Sequence, residues 1–188
     1  MSITILGIDV GPERSAYCEL TDARTIGRHA WVENSELLDF LVCDSTGHVI
    51  LESPQAQDRP LGKLLRDTIF WAGRFYECAS ACGRKVIEAE ERDVAFWLTG
   101  NRSAGNPAVL QSLKDQFGDR AEIPCAACSM TGQMAGKRPG TFKQCERCKG
   151  EKFVVVAGPL KGMNEHERSA LAAAYWYWQR TRERKATA

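Results

Sequence analysis

The chain has 188 residues, a net charge of +1, 44% apolar and 26% charged side chains. This length accommodates one domain with a small insert, and the composition excludes disordered and fibrous classes. No run reaches the roughly 18 uncharged apolar residues that a membrane helix needs, and the near-neutral balance leaves any nucleic-acid affinity to the distribution of basic residues rather than to their total.

The opening MSITILGIDVG carries no basic leader or cleavage site, so the expectation is an intracellular, cytoplasmic protein. Ile3 to Asp9 is an apolar run ending in a carboxylate and Gly11, the pattern of a buried strand entering a turn. Ser15 to Leu20 and Arg28 to Val32 add two β-compatible segments, giving a three-stranded meander. Ser35 is placed to cap a short helix through Leu41, and His48 to Glu52 reads as another strand that ends in a carboxylate.

From Leu61 to Cys82 the positions Leu64, Leu65, Thr68, Trp71, Ala72, Phe75 and Ala79 recur at helical spacing, with Gly83 as the stop. Lys85 to Ala89 follows as a strand, Glu91 to Leu98 as a short helix, and Pro107 to Phe117 as a helix with Gly118 beyond its end. Asn164 to about Arg182 closes the chain as a helix, and the tail RTRERKATA is expected to fray. Three strands followed by alternating helices and strands define an α/β fold with a mixed sheet. Trp71, Phe75, Trp97, Trp176 and Trp178 fall at helical spacing and are expected in a core or a dimer interface.

In a reducing compartment paired cysteines point to metal rather than to disulfides. Cys125 and Cys128, then Cys145 and Cys148, form two C-x-x-C pairs around the spacer 129–144. Each two-residue gap lets both sulfurs reach one ion, so the four thiolates predict a closed structural zinc site. The spacer SMTGQMAGKRPGTFKQ has too little apolar material to fold alone, and the metal must order it. Cys18 and Cys43 are read as small core residues, and Cys78 and Cys82 as packed one helical turn apart. CAACSMTG and CERCKGEK are similar to the cysteine-rich repeats of DnaJ-type chaperones, which implies a knuckle geometry and no chaperone activity.

A carboxylate at the end of a buried strand needs a cation. Asp9 in GIDVG and Glu52 in HVILES both stand so, and on neighbouring strands they would converge on Mg²⁺ or Mn²⁺. Together with RDVAFWLTGNRSAGNPAVLQSL and with HERSALAAA in the last helix, these segments resemble the RuvC Holliday-junction resolvases in kind and order. GPLKG ahead of the last helix is similar to bacteriophage relatives of that family. The resemblance implies an RNase H-like fold over 1–118 and 158–188, with a four-cysteine zinc module inserted at 119–157. It also implies a homodimer and metal-dependent endonuclease action on branched DNA, in a bacterial cell or a phage-infected host.

The family places an acid or His on the first turns of the last helix and an Asp three residues later; here the pair is His166 and Ser169. A hydroxyl is a poor ligand, but Glu165 lies about 40° from Ser169 on a helix wheel and can supply the oxygen, whereas Glu167 points farther away. The implied catalytic set is Asp9, Glu52, Glu165 and His166. In it Asp9 bridges the metals, Glu52 holds one, and His166 with Glu165 completes the other. An imidazole ligand predicts that Mn²⁺ serves at least as well as Mg²⁺. DNA contacts are expected from Asn101, Arg102, Lys114, Lys137, Arg138 and the loop SPQAQDRP after Glu52. The competing reading is a branched-DNA-binding protein of the same fold, weakened in catalysis by Ser169. GIDVG also opens actin-like ATPases, but no second phosphate loop is present.

Overall fold

The computed structural model describes residues 4–21, 24–43, 47–53, 62–118, 120–129, 131, 133–135 and 142–186. The chain divides into two compact units, Met1–Leu113 with Gly162–Ala188, and Lys114–Lys161.

The first unit is built on a mixed five-stranded sheet. Its strands are β1 (Thr4–Asp9), β2 (Arg14–Thr21), β3 (Ile26–Glu33), β4 (His48–Ser53) and β5 (Lys85–Glu90), in the order β3-β2-β1-β4-β5. β1, β2 and β3 form the antiparallel meander, while β4 and β5 run parallel to β1. Parallel neighbours need crossovers. Helices α1 (Asn34–Cys43) and α2 (Lys63–Ala81) lie in those connections, and α3 (Glu91–Thr99), α4 (Asn106–Phe117) and α5 (Glu165–Ala186) complete the element list.

Strand side chains alternate between faces, and the two faces of this sheet do different work. Leu6, Ile8, Val10, Val49 and Leu51 pack with Leu37 and Leu41 of α1 and with Phe75 and Ala79 of α2 in one buried cluster. The alternate positions of β1 include Gly7 and Asp9. A Cβ at Gly7 would stand 1.9 Å from the Ala170 carbonyl oxygen, so β1 and α5 meet at backbone contact there. Ala170 through Trp178 are all buried, which makes α5 a central helix rather than a surface one.

Several expectations are corrected. Helix α1 begins at Asn34, one residue before Ser35, and the Asn34 side chain ties that start to the turn between β1 and β2: Nδ2 donates to Gly11 O at 3.0 Å and Oδ1 accepts from Ser15 Oγ at 2.6 Å. Cys43 is exposed at the end of α1, and Cys82 is exposed just past α2, so neither is packed. Leu64 sits on the solvent side of the first turn of α2 and is 68% exposed, whereas Thr68, Phe75 and Ala79 carry the buried stripe. Phe75, Trp176 and Trp178 are buried as expected, while Trp71 and Trp97 are half-buried. The tail does not fray from Arg180; α5 continues to Ala186, with Arg180 over Trp176 and Arg182 over Trp178.

In the second unit, β6 (Arg120–Pro124) pairs antiparallel with β9 (Phe153–Ala157), and β7 (Gln133–Ala135) with β8 (Phe142–Gln144). These two short ladders frame the four cysteines.

Candidate active site and metal centre

The parallel register sets the first site. Asp9 of β1 lies directly opposite Glu52 of β4, at the carboxyl ends of both strands. β5 ends at the same edge, where Ser53 pairs with Glu90 and Glu91 opens α3. Ligand crevices of open α/β sheets form outside the carboxyl ends of parallel strands. A cleft of about 270 Å³ lies here, lined by Asp9, Val10, Glu52, Glu91, Asn106, Glu165, His166 and Ser169.

The start of α5 meets this edge. His166 Nδ1 is 2.9 Å from Asp9 Oδ2, and Ser169 Oγ donates to Glu52 Oε2 at 2.8 Å. The helix start is fixed by a reciprocal cap: Asn164 N donates to Glu167 Oε2 at 2.7 Å, and Glu167 N donates to Asn164 Oδ1 at 2.9 Å. Glu167 therefore faces away from the cleft, as its helical position predicts. It is buried, with Oε1 2.8 Å from His29 Nδ1 on β3. Trp31 of β3 stacks on His166 at 5.6 Å between ring centroids and 17° between planes. Arg14 braces the indole, with its guanidinium 3.8 Å from the ring centroid and a hydrogen bond of 2.7 Å to Trp31 O.

The electrostatics of the pair call for a cation. Burial, and then the Asp9 charge beside it, push the Glu52 carboxyl up to about 8. Burial also raises Asp9, against the lowering effect of its hydrogen bond to His166. Among the described residues the cleft lining holds four carboxylates and no Lys or Arg. Oxygen donors with one imidazole are a donor set suited to Mg²⁺ or Mn²⁺.

All four residues of the expected catalytic set, Asp9, Glu52, Glu165 and His166, thus line one cleft with Ser169. Glu91, Asn106 and Trp31 were not singled out from sequence. For Glu91 a signal existed, because it follows β5 as closely as the acids that end β1 and β4; for Trp31 none did. Among the expected DNA contacts, Asn101 and Arg102 lie in the loop after α3. Asn101 Oδ1 accepts from Ser103 N at 2.9 Å, and Arg102 pairs with Asp93 at 3.4 Å while remaining 69% exposed. Lys114 is half-buried on α4 and belongs to the second unit. Lys137, Arg138 and residues 54–60 of the loop after Glu52 lie outside the described residues.

The second centre is the cysteine cluster. Cys125, Cys128, Cys145 and Cys148 are buried, and their sulfurs all lie within 4.8 Å of one another. The Cys125–Cys145 and Cys128–Cys148 sulfur pairs are 3.8 and 3.6 Å apart. A tetrahedron with zinc–sulfur bonds of about 2.3 Å has edges of about 3.8 Å, so the cluster fits zinc. Hydrogen bonds from backbone amides, that of Cys148 first and then Arg147, lower the Cys145 thiol to about 7, which favours the thiolate that a metal requires.

The fold has solved counterparts. The structure of Thermus thermophilus RuvC is 16% identical, with 95% of this chain and 96% of that chain covered at a TM-score of 0.55. T. thermophilus RuvC in complex with a Holliday junction substrate is 15% identical, with 95% and 97% covered at a TM-score of 0.54. No protein-family model matches the chain, and no curated protein matches it. The chain therefore has a RuvC-like, RNase H-like fold: a mixed five-stranded sheet flanked by helices, with a cysteine cluster able to form a zinc site. Among the described residues no helix is long and apolar enough to cross a membrane.

Proposed function

We propose that this chain is a structure-selective endonuclease that resolves Holliday junctions or other branched DNA by metal-dependent phosphodiester hydrolysis. The observation that carries the reading is the in-register pair Asp9 and Glu52 met by His166 and Ser169 from the start of α5. The RuvC-like fold supports it, since one structural neighbour is held with a Holliday junction substrate.

Asp9, Glu52, Glu165 and His166 would hold Mg²⁺ or Mn²⁺. Such ions, when bound, activate water and stabilise the leaving 3′-oxygen. The chain's own part is preorganisation. Asp9 and Glu52 are fixed by sheet register, His166 is held between Asp9 and Trp31, and the Asn164–Glu167 cap sets the helix that carries it. Ser169 keeps Glu52 oriented by donating to it, a role a hydroxyl fills where a carboxylate would repel. Asn101, Arg102, Lys114, Lys137 and Arg138 are the proposed DNA contacts.

Two symmetric nicks in one junction require two sites, so the reading includes a homodimer. Ile69, Phe70 and Tyr76 of α2 are exposed and offer apolar area to a second copy. The cysteine unit is proposed as a zinc-ordered insert, closed to chemistry because four thiolates leave no open position. The second reading, a branched-DNA-binding protein without strong catalysis, is favoured by one observation. Ser169 occupies the place where the resemblance calls for an Asp, and its hydroxyl is already bonded to Glu52. Incubation of a synthetic four-way junction with Mn²⁺ or Mg²⁺ separates the two: paired nicks support the enzyme, and binding without nicks supports the alternative.

A further inference from the structure

The four-cysteine unit contains two copies of one knuckle with different decoration. Residues 125–132 and 145–152 correspond position by position at a constant offset of twenty. Thr131 N donates to Cys128 O and Glu151 N to Cys148 O, each at 2.9 Å, and Ser129 and Lys149 share a left-handed backbone with φ of 47° and 48°. At these positions the backbone task is the same in both copies. The side chains are not: Ala126, Ala127, Ser129 and Thr131 in the first copy correspond to Glu146, Arg147, Lys149 and Glu151 in the second, and Lys152 has the position that Gly132 has in the first.

Lys149 and Lys152, with φ of 48° and 71°, both adopt the conformation in which glycine is the unstrained choice. Glycine would serve folding and metal binding at least as well at both positions, and since Ser129 carries the same strain in the first copy, what sets the second copy apart is the charge on its side chains. Arg147, Lys149 and Lys152 are exposed, while Glu146 is tied to Lys143 at 2.7 Å. The charge of the molecule is also unevenly divided. Residues 114–161 contain nine Lys and Arg against five Asp and Glu, a net charge of +4, and the whole-chain value of +1 leaves −3 for the rest.

We propose that the second knuckle is a DNA-backbone contact, with Arg147, Lys149 and Lys152 set against phosphates, and the first knuckle its uncharged structural counterpart. The inference rests on the branched-DNA reading and names a contact surface for it. Point charges on flexible stems position a duplex without reading its bases, so the contact serves junction arms of any sequence. It also gives the insert a purpose that a closed metal site alone lacks.

The test is the double variant K149G/K152G in the whole 188-residue chain, zinc-loaded. Binding to a labelled four-way junction and to a linear duplex is followed by fluorescence anisotropy without added Mg²⁺ or Mn²⁺, from 50 to 200 mM salt. Both substitutions relieve left-handed strain, so the variant is expected to melt at the wild-type temperature or above and to retain its zinc. With about 0.9 unit of slope per phosphate contact, its plot of log affinity against log salt should be shallower by about 1.8. Over that salt range the wild type then loses about twelvefold more affinity than the variant, on junction and duplex alike. Equal slopes and affinities in a folded, zinc-loaded variant overturn the proposal, as does a variant that melts lower or loses zinc, since the lysines would then serve the fold. An acidic protein as the true partner would appear as indifference of DNA binding to the variant. If the wild type binds no DNA, the nuclease reading itself fails; if it binds with slopes that match the variant's, and nicks a junction once Mn²⁺ is added, only the knuckle contact fails.

Discussion

Gly7→Ala concentrates the relation between packing and site geometry in one methyl group. The new Cβ would lie 1.9 Å from Ala170 O, 2.9 Å from Ala170 C and 3.1 Å from Ala174 Cβ, and two of these three atoms are helix backbone that no rotamer change can move. Ordinary contact begins near 3.4 Å, so α5 must retreat from β1 by about 1.5 Å, the difference between 3.4 and 1.9 Å. Overpacking of this kind costs about 1–3 kcal/mol, and for a protein of this size each kcal/mol lowers the melting temperature by about 2–4 °C. The retreat also matters locally, because Ser169 precedes Ala170 and His166 lies one turn before it. A shift of half that size stretches the contacts to Glu52 and Asp9, now 2.8 and 2.9 Å, beyond hydrogen-bonding distance. A misplacement of about 1 Å costs on the order of a hundredfold in rate. Differential scanning fluorimetry gives the first quantity. Junction nicking at 20 °C, below both melting points, gives the second without a contribution from unfolding. Gly7→Ala protein with wild-type melting and wild-type nicking would refute the placement of α5 on β1.

Glu52 links stability to pH. Its folded value of about 8 exceeds the ordinary 4.5, so the folded state holds the proton more tightly than the unfolded state does, and metal-free stability must fall as pH rises between those values. Glu52→Gln is expected to remove the Glu52 share of that fall, leaving the part that the raised Asp9 contributes, and to melt above the wild type at pH 8 without metal, while Mn²⁺ stabilises the wild type more than the variant; a pH-independent wild-type melting curve would contradict the burial argument. Trp31→Ala frees one side of His166 and should lower kcat about tenfold with little change in KM, with Trp31→Phe restoring most of it because the stack persists. A KM effect in the alanine variant would indicate a DNA contact instead. Replacing Cys125 and Cys145 together by serine should remove one equivalent of zinc, measured by elemental analysis, and abolish amide-exchange protection in β6 and β9. Retained protection would mean that the unit folds without metal.

The elements with strong periodic or punctuating signals were legible in the sequence. β1 and β4 declared themselves as apolar runs ending in Asp9 and Glu52, and the cysteine spacing specified a cluster whose sulfur separations now fit one ion. Adjacency of the two acids was an inference from strand order, and the register between them is a tertiary fact that periodicity cannot supply. Cys43 and Leu64 misled because an apolar residue on a helix is not thereby on its buried stripe. The extension of α5 to Ala186 was missed because RTRERK reads as a solvated tail until Arg180 and Arg182 are seen over Trp176 and Trp178. Trp31 was invisible for a related reason: its partner His166 lies 135 positions away, and nothing local in β3 announces a ring stacked on the site.

The most direct measurement is the fate of a synthetic four-way junction labelled on each strand, incubated with the wild type or with Asp9→Asn in Mn²⁺, in Mg²⁺ and without either. The wild type is expected to place symmetric nicks in two opposing strands, with Mn²⁺ at least as effective as Mg²⁺. No nicks are expected without metal, and Asp9→Asn is expected to bind the junction undiminished and leave it intact. Nicking by Asp9→Asn at the wild-type rate, or a wild type that binds the junction and leaves all four strands intact in both metals, would contradict metal-dependent cleavage at Asp9.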